Sequence, residues 1–375
     1  MNVVIIIPTY NEKGNIGNLV NVLEKEVFPT IKNHKMGILV VDDNSPDGTA
    51  DVVKKLMTEW KNIELCSGEK QGLGAAYVRG MNYAVEKMNA EVMFEIDADG
   101  QHDPKKIPDF LKKIDEGYDM VIGTRYSKGG SIPKNWPPQR KAFSVIGNIL
   151  VRTILMRFSI HDWTGGYRAL RKEVFLKEKE ELTSFKGYTF QVSFLNKAVR
   201  DNFKIAEVPF HFTDRTLGDS KIAPKEYIID LLKYVISDKF KELVTGTFGK
   251  FLAVGLSGLI INTVIYVLLA KFTNLSLVYA NTIGAELAIF SNYNLNNFWT
   301  FKERKTKTVL DYFWKLIQFF VTSSIGVFIF QNGSIKIGSV LYGRKFYLIY
   351  YIIGTAMLLM WNFIMYSVVI WKKKK

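Results

Sequence analysis

The sequence predicts an α/β domain built on a mostly parallel sheet, followed by an all-α membrane domain of four helices. Three observations carry this reading. Through about the first 235 residues, short apolar runs alternate with charged, helix-spaced runs, the pattern of a parallel sheet covered by helices on both faces. Three of the apolar runs stop in acidic or polar tips. After Lys250 the texture becomes continuously apolar, in stretches that reach the roughly 20 residues needed to cross a bilayer.

The α/β region begins with a strand at 3–7 (Val3 to Ile7) that ends at Pro8, and a helix at 13–26 comes next. A strand at 37–41 ends in Asp42 and Asp43, and the helix at 49–59 starts after Gly48, where Asp43 or Asp47 is placed to cap it. A strand at 62–66 ends on Cys66, read as a packed residue, and leads to a helix at 73–87. The strand at 91–96 runs into a turn over Gly100 to Pro104, then a helix at 104–115 and a strand at 118–122. No internal repeat is evident. Met1 to Ile7 lacks a basic leader and runs directly into a strand tip, so it reads as sheet and not as a signal peptide.

In the apolar region the spans are Phe251 to Ala270, Leu277 to Trp299, Phe313 to Phe330 and Phe346 to Trp371. Four such runs in succession inside one soluble core would leave little polar surface for water. The second carries Glu286 and Asn292, Asn294, Asn296 and Asn297, and polar groups at that depth are expected to face the bundle interior. Lys233, Lys239, Lys241 and Lys250, then Lys302, Arg304, Lys305 and Lys307, then Lys372 to Lys375 fall on one side if all four spans cross. Lys271, Lys336, Arg344 and Lys345 fall on the other. The excess predicts a multi-pass cell-membrane protein with its N-terminus, α/β domain and C-terminus in the cytoplasm. Between the two regions, apolar positions 228, 229, 232, 235 and 236 recur at helical spacing. They suit either a helix lying on the membrane surface or one packed on the sheet. The expected domains are 1–224, a linking amphipathic segment 225–247, and 248–375.

Chemistry concentrates in Phe94-Glu95-Ile96-Asp97-Ala98-Asp99-Gly100-Gln101-His102-Asp103-Pro104. Two alternating carboxylates stand just where a buried strand stops. In an open parallel sheet the strand tips Pro8 to Glu12, Asp42 to Thr49 and Asp97 to Pro104 line one crevice. Oxygen ligands there suit Mg²⁺ or Mn²⁺ shared with substrate phosphates, which makes a nucleotide-diphosphate site the leading idea. The plainer alternative is a polar turn whose aspartates only cap the next helix.

The set PTYNE, VVDDNSPDGT, Gln71-Gly72-Leu73-Gly74-Ala75-Ala76 and IDADGQHDP resembles inverting family 2 glycosyltransferases of the GT-A fold, most closely the dolichol-phosphate mannose synthases. Gly123-Thr124-Arg125-Tyr126, Asp162 to Arg168, Lys186 to Gln191, and Phe212 to Arg215 with Lys221 fall in the order that family shows, so the resemblance covers roughly residues 1 to 235. The membrane half, including Asn296 to Phe301, resembles GtrA-like domains. The resemblance implies that Pro8, Tyr10, Glu12, Val40 and Asp42 hold the nucleoside, with Asp97 and Ala98 beside them. Asp99 and Gln101 are expected to ligate Mg²⁺ or Mn²⁺, with Asp97 on the metal or the ribose. Glutamine is a weaker ligand than carboxylate, so the metal should bind poorly without a bridging phosphate. Arg125, Arg215 and Lys221 are implied to contact donor diphosphate or acceptor phosphate, and with Asp99 they form the expected catalytic set. Arg125 is placed to grip a phosphate through two parallel bonds. A loop from Thr213 to Pro224, with Gly218, is placed to close over the donor. Arg140, Arg168 and Lys172 are further phosphate candidates.

The expected activity is inverting transfer of mannose from GDP-mannose to dolichyl phosphate, with UDP-glucose the rival donor. An acidic base serves alcohol acceptors in many members of the wider superfamily, whereas Gln191 stands in the comparable region here. A phosphate acceptor is already anionic and needs no base. Two readings from other classes are a processive polysaccharide synthase, whose QxxRW motif is missing from this chain, and a lipid-sugar flippase with a regulatory soluble domain. The net charge of +14 is spread over several regions, including membrane-flanking loops, with no recognised nucleic-acid motif. Anionic lipid head groups account for it more economically. Nucleic acid and an obligate protein partner are not expected, and the lone Cys66 fits a reducing compartment.

Overall fold

A computed structural model of the chain describes residues 1–182, 187–214, 224–275, 277–343 and 346–372. They fall into two compact units, Met1–Ser237 and Asp238–Lys375.

The first unit largely alternates strands and helices: β1 (Asn2–Thr9), α1 (Ile16–Val22), β2 (Lys35–Asp42), α2 (Thr49–Glu59), β3 (Ile63–Ser67), α3 (Leu73–Glu86), β4 (Val92–Glu95), α4 (Ile107–Asp115), β5 (Met120–Thr124), α5 (Pro138–Leu155), β6 (Arg168–Arg171), α6 (Lys172–Leu182), α7 (Gly187–Arg200), β7 (Ile205–Pro209) and then α8 (Pro224–Thr245), which begins in this unit and runs past its end at Ser237. The strands form one sheet in the order β3-β2-β1-β4-β6-β5-β7. Only β6 runs against the others: it pairs antiparallel with both β4 and β5. Its four residues, Arg-Ala-Leu-Arg, are too few and too polar at their ends to announce a strand, so sequence patterning passes over it.

Strand β1 is buried on both faces, as a central parallel strand must be. Its period-2 alternation divides the core in two. Val4 and Ile6, with Leu39 and Val41 of β2, pack beneath Tyr77 and Met81 of α3 and Phe190 and Phe194 of α7. Val3, Ile5 and Ile7, with Ile38 and Val40, face Leu19 of α1 and Phe110 and Ile114 of α4. Each such side chain contributes roughly 1.5–3 kcal/mol on burial. Gly80 lets α3 lie close to the sheet, since a Cβ there would stand 2.7 Å from both Ile6 and Val41.

Helix α1 is shorter than its apolar pattern predicts, because after Val22 the chain widens into a π-helical turn, Leu23–Val27. Likewise Pro104–Lys106 is a 3-10 turn capped by the Asp103 carboxylate, and α4 proper starts at Ile107. Cys66 is half-buried against the core near the end of β3. Helix α8 buries Leu231 and Val235 in the core of the first unit and exposes Ile229, Ile236 and Phe240.

The second unit comprises α9 (Thr247–Phe272), α10 (Leu277–Leu295), α11 (Val309–Gly326), α12 (Gly333–Tyr342) and α13 (Tyr347–Met365). Among the described residues three stretches are long and apolar enough to cross a membrane: Thr247–Leu269, Val309–Phe330 and Ile352–Ile370. The expected second span is present as a helix, α10, continued by a π-helical turn Asn296–Thr300. α9 and α10 meet where Gly258 faces Asn292, and a Cβ on Gly258 would collide with that amide. Asn297 accepts from the Trp371 indole at 3.0 Å and donates to Thr306 at 2.9 Å, while Asn294 accepts from Tyr312 at 2.9 Å. Phe301 stacks on Trp371 at 4.8 Å. Glu286 departs from expectation. It lies on an exposed face with Ile283, Leu287 and Phe290 and not in the interior. Of the basic residues that predict the orientation, Arg344, Lys345 and Lys373 to Lys375 lie outside the described residues.

Candidate active site

Six strands point their carboxyl ends toward one edge of the sheet, and the chain reverses its order of strand addition between β1 and β4. A cavity of about 510 Å³ opens at that switch point, where α/β sheets place their ligands. Pro8, Tyr10 and Glu12 line it from the end of β1, and Asp97, Ala98, Asp99 and Gln101 from the end of β4. Arg125 enters from the end of β5, and Gly72 and Leu73 from the start of α3. The helical start there needs its glycine: Gly72 has φ of +102°.

Two of the expected nucleoside residues stand outside the lining. Val40 is wholly buried in the sheet core. Asp42 is buried too, and its carboxylate closes a turn. It accepts from the Thr9 hydroxyl at 3.0 Å, the Ser45 N–H at 2.9 Å and the Ser45 hydroxyl at 2.6 Å. Of the two candidate caps, Asp47 fills the role, accepting from the N–H and hydroxyl of Thr49. Asp43 instead pairs with Arg79 at 2.5 Å and borders the cavity.

Asp97 is held from two sides. The Tyr77 hydroxyl donates to it at 3.1 Å, and its own N–H donates to His102 Nδ1 at 3.2 Å. That bond puts the imidazole proton on Nε2, 4.0 Å from the Asp97 carboxylate. Burial pushes the His102 pKa down to about 4 against the opposing charge of Asp99, so the ring is neutral at pH 7. It stacks on Tyr167 at 5.0 Å. Burial, and then the charge of Asp97, raises Tyr77 well above its ordinary value, which keeps it a donor. Asp99 accepts from the Gln101 N–H at 3.1 Å, and Gln101 Nε2 is buried without a hydrogen-bond partner.

Beneath this turn Glu95 and Arg168 are register partners on β4 and β6, both fully buried. Burial pushes the Glu95 carboxyl up to about 7, opposed by the Arg168 charge. Arg168, a phosphate candidate by sequence, stands outside the cavity lining and donates to the carbonyls of Gly165, Gln191 and Trp163. Lys172 comes directly after β6, at the sheet edge away from the cavity.

Arg125 lines the cavity and is already engaged there. Its fork holds a protein carboxylate: Nε and Nη2 donate to Asp162 at 2.7 and 2.8 Å, and Nη2 also donates to Thr164 at 2.9 Å. Burial alone would raise the Asp162 pKa, but the Arg125 charge and hydrogen bonds outweigh it and hold the carboxyl below its usual value. Arg140 stacks its guanidinium on Trp136 at 4.0 Å and approaches Asp214 at 3.7 Å. The chain past β7 docks on the acidic turn, with the Thr213 hydroxyl donating to the Gly100 carbonyl at 2.9 Å. Arg215, Gly218 and Lys221 lie outside the described residues.

Sequence reasoning assigned no role to Lys70, His102 or Thr164, and treated Gln191 only as a departure, yet all four line the cavity. The Lys70 ammonium sits 3.4 Å above the Tyr10 ring. The Gln-Gly-Leu-Gly segment beside it was the available signal. The Arg125–Asp162 pair spans 37 residues of chain and had none.

The residues at the β4 tip fit a divalent cation. Two carboxylates and an amide oxygen are the hard donors Mg²⁺ and Mn²⁺ prefer, and Asp97, Asp99 and Gln101 line the cavity together. No group of three His, Cys, Asp or Glu assembles among the described residues, so the protein alone offers an incomplete shell.

Residues 4–177 match the family "Glycosyl transferase family 2", and residues 250–371 match "GtrA/DPMS, transmembrane domain". Dolichol-phosphate mannosyltransferase of Pyrococcus furiosus is 34% identical over 333 residues, 87% of this chain and 88% of that protein. Polyprenol monophosphomannose synthase of Mycolicibacterium smegmatis is 38% identical over 221 residues, covering 58% of this chain and 80% of that one. Undecaprenyl-phosphate mannosyltransferase of Micrococcus luteus is 37% identical over 247 residues, 65% of this chain and 98% of that protein.

Proposed function

Because this chain belongs to the family 2 glycosyltransferases that carry a GtrA/DPMS transmembrane domain, and is therefore a membrane-bound glycosyltransferase of GT-A fold, we propose that it transfers mannose from GDP-mannose to dolichyl phosphate. The products are dolichyl β-mannosyl phosphate and GDP. The observation that carries the reading is the convergence of the Asp97–Asp99–Gln101 turn with Pro8, Tyr10 and Glu12 in one cavity at the switch point of the sheet.

In this reading Asp99 and Gln101, with Asp97, hold Mg²⁺ or Mn²⁺, which when bound offsets the charge of the departing diphosphate. Tyr77 and His102 fix Asp97 so that little reorganisation remains when the donor arrives. Tyr10 offers a ring face to the base, and Lys70 leaves that face to meet negative charge on the nucleotide. The first turn of α3, reached through Gly72, presents backbone N–H groups suited to phosphate. Arg125, oriented by Asp162, keeps a positive wall on the cavity. Arg215 and Lys221 are assigned to the phosphates by family resemblance alone. The acceptor phosphate is anionic at neutral pH and attacks the anomeric carbon in line, which inverts it. No general base is required, in keeping with a glutamine at position 191.

We place the reaction at the cytoplasmic face, with α10 as a fourth span. The basic residues that flank the spans support this orientation. Helix α5 supports membrane attachment of the first unit. Phe143, Ile146, Ile149 and Leu150 form an exposed apolar stripe, continued by Met156 and Phe158, with Arg140, Lys141, Arg152 and Arg157 around it. Such a face suits the boundary of acyl chains and anionic head groups.

The test is transfer of radiolabel from GDP-mannose, against UDP-glucose, into dolichyl phosphate by the full-length protein in detergent, with and without Mn²⁺. Metal-dependent labelling from GDP-mannose that is lost in Asp99→Ala, with expression and membrane insertion unchanged, is the expected result. Labelling from UDP-glucose alone would replace the sugar and keep the mechanism. No transfer from either donor would sink the proposal.

A further inference from the structure

We propose that Gln191 recognises hydroxyls of the donor hexose and so sets the choice of sugar, an inference that rests on reading the cavity as a hexosyl-donor site. Gln191 stands in the first turns of α7, lines the cavity, and is 2% exposed. Its backbone is fixed, because the Arg168 guanidinium donates to its carbonyl at 2.8 Å. Its side chain is held at one end at most: the amide N–H stands close enough to the Glu95 carboxylate to lower its pKa by hydrogen bonding, in a geometry too poor to satisfy either group, and Oε1 is buried without a partner.

A buried amide oxygen without a donor, beside an N–H with a poorly aligned acceptor, is costly to leave incomplete, so a resident for this place should complete it. The chemistry of that resident is dictated by the amide, which offers one acceptor and two donor hydrogens. A sugar hydroxyl both donates and accepts, and a vicinal pair of hydroxyls can answer both ends of the amide at once. A phosphate offers only acceptors and would leave the buried Oε1 without a donor. The way in is kept open by Gly166: a Cβ there would lie 3.4 Å from Gln191 Nε2 and 3.9 Å from the His102 ring.

The experiment measures kcat/KM of the full-length enzyme for GDP-mannose and for its 2-, 3-, 4- and 6-deoxy analogues, together with the inhibition constant of GDP. Gln191→Leu should lower kcat/KM for GDP-mannose by about 10- to 100-fold and leave GDP inhibition within about twofold. The loss should disappear with the analogue that lacks the hydroxyl Gln191 contacts. Gly166→Ala keeps the amide and narrows its approach, and should reproduce the loss if Gln191→Leu lowers Tm. An equal loss on every donor, a parallel loss of GDP affinity, or no loss at all would overturn the assignment while leaving the donor site intact. Failure of the wild type to use any of these donors would overturn the donor-site reading itself.

Discussion

At the scale of single residues, the cavity is organised by charges committed to one another. The Arg125 side chain is 8% exposed and that of Asp162 is fully buried, so neither can fall back on water. Removing one partner of a buried pair typically costs about 3–5 kcal/mol, because the other charge stays behind. Asp162→Asn should therefore destabilise the protein by that order at pH 7 and lower donor turnover, since Arg125 would lose its orientation. The pH dependence has a definite sign. The folded carboxyl titrates below its unfolded value near 3.8, so the pair's stabilisation is present above about pH 4 and is lost as pH falls through the lower folded value. The gap in Tm between wild type and Asp162→Asn, monitored by tryptophan fluorescence in detergent from pH 7 to pH 3, should close toward acid. A gap that stayed constant would mean that Asp162 does not act through its charge.

Among the elements, α5 and α8 both expose apolar side chains and differ in packing. The segment at 225–247 offered two alternatives, a membrane-surface helix or one packed on the sheet domain. Leu231 and Val235 of α8 lie in the core, although Phe240 on another face is 67% exposed. The more complete apolar face belongs to α5, which buries only Asn148, Val151 and Leu155 and leaves Phe143 64% exposed. A contiguous patch of this kind on an otherwise charged surface marks an interaction face. With Cys66→Ser as background, Ile149→Cys carrying an environment-sensitive fluorophore should emit blue-shifted in lipid nanodiscs and be quenched by brominated lipid. The same probe at Lys54→Cys, exposed on α2, should be neither. Equal quenching at the two sites, or none at Ile149, would remove α5 from the membrane.

For the whole molecule, the arrangement of charge along the chain predicts its topology. Lys302, Arg304, Lys305 and Lys307 lie between α10 and α11, while the other end of α10 has only Lys271 nearby, in the last turn of α9. Again with Cys66→Ser as background, Asn274→Cys should react with a membrane-impermeant maleimide in intact cells. Lys305→Cys should react only after permeabilisation. Labelling of both in intact cells would show that α10 does not cross and would leave the three stretches that length and apolarity pick out among the described residues.

Much of this protein is legible without coordinates, for reasons that are local. The tips at Pro8 and at Asp97 to Gln101 are readable because strands of four to eight residues must end, and the residues just past each apolar run at a sheet's carboxyl edge share one crevice. Membrane spans are readable because lipid demands length and apolarity from each helix separately. The features that local patterning leaves open are pairwise and distant. Asp42 and Asp43 are adjacent and chemically identical, yet one closes a turn with Thr9 and Ser45 and the other meets Arg79 at the cavity rim. Arg125 reads as a phosphate fork until Asp162 is found in that fork, and Gln191 reads as a missing base until its amide is found buried with its oxygen unanswered. The chain by itself determines which side chains reach the crevice, through the period of the strand and the position of its end. Only the tertiary structure decides which of them are already spent on one another, because that depends on distances between elements that local patterning does not encode.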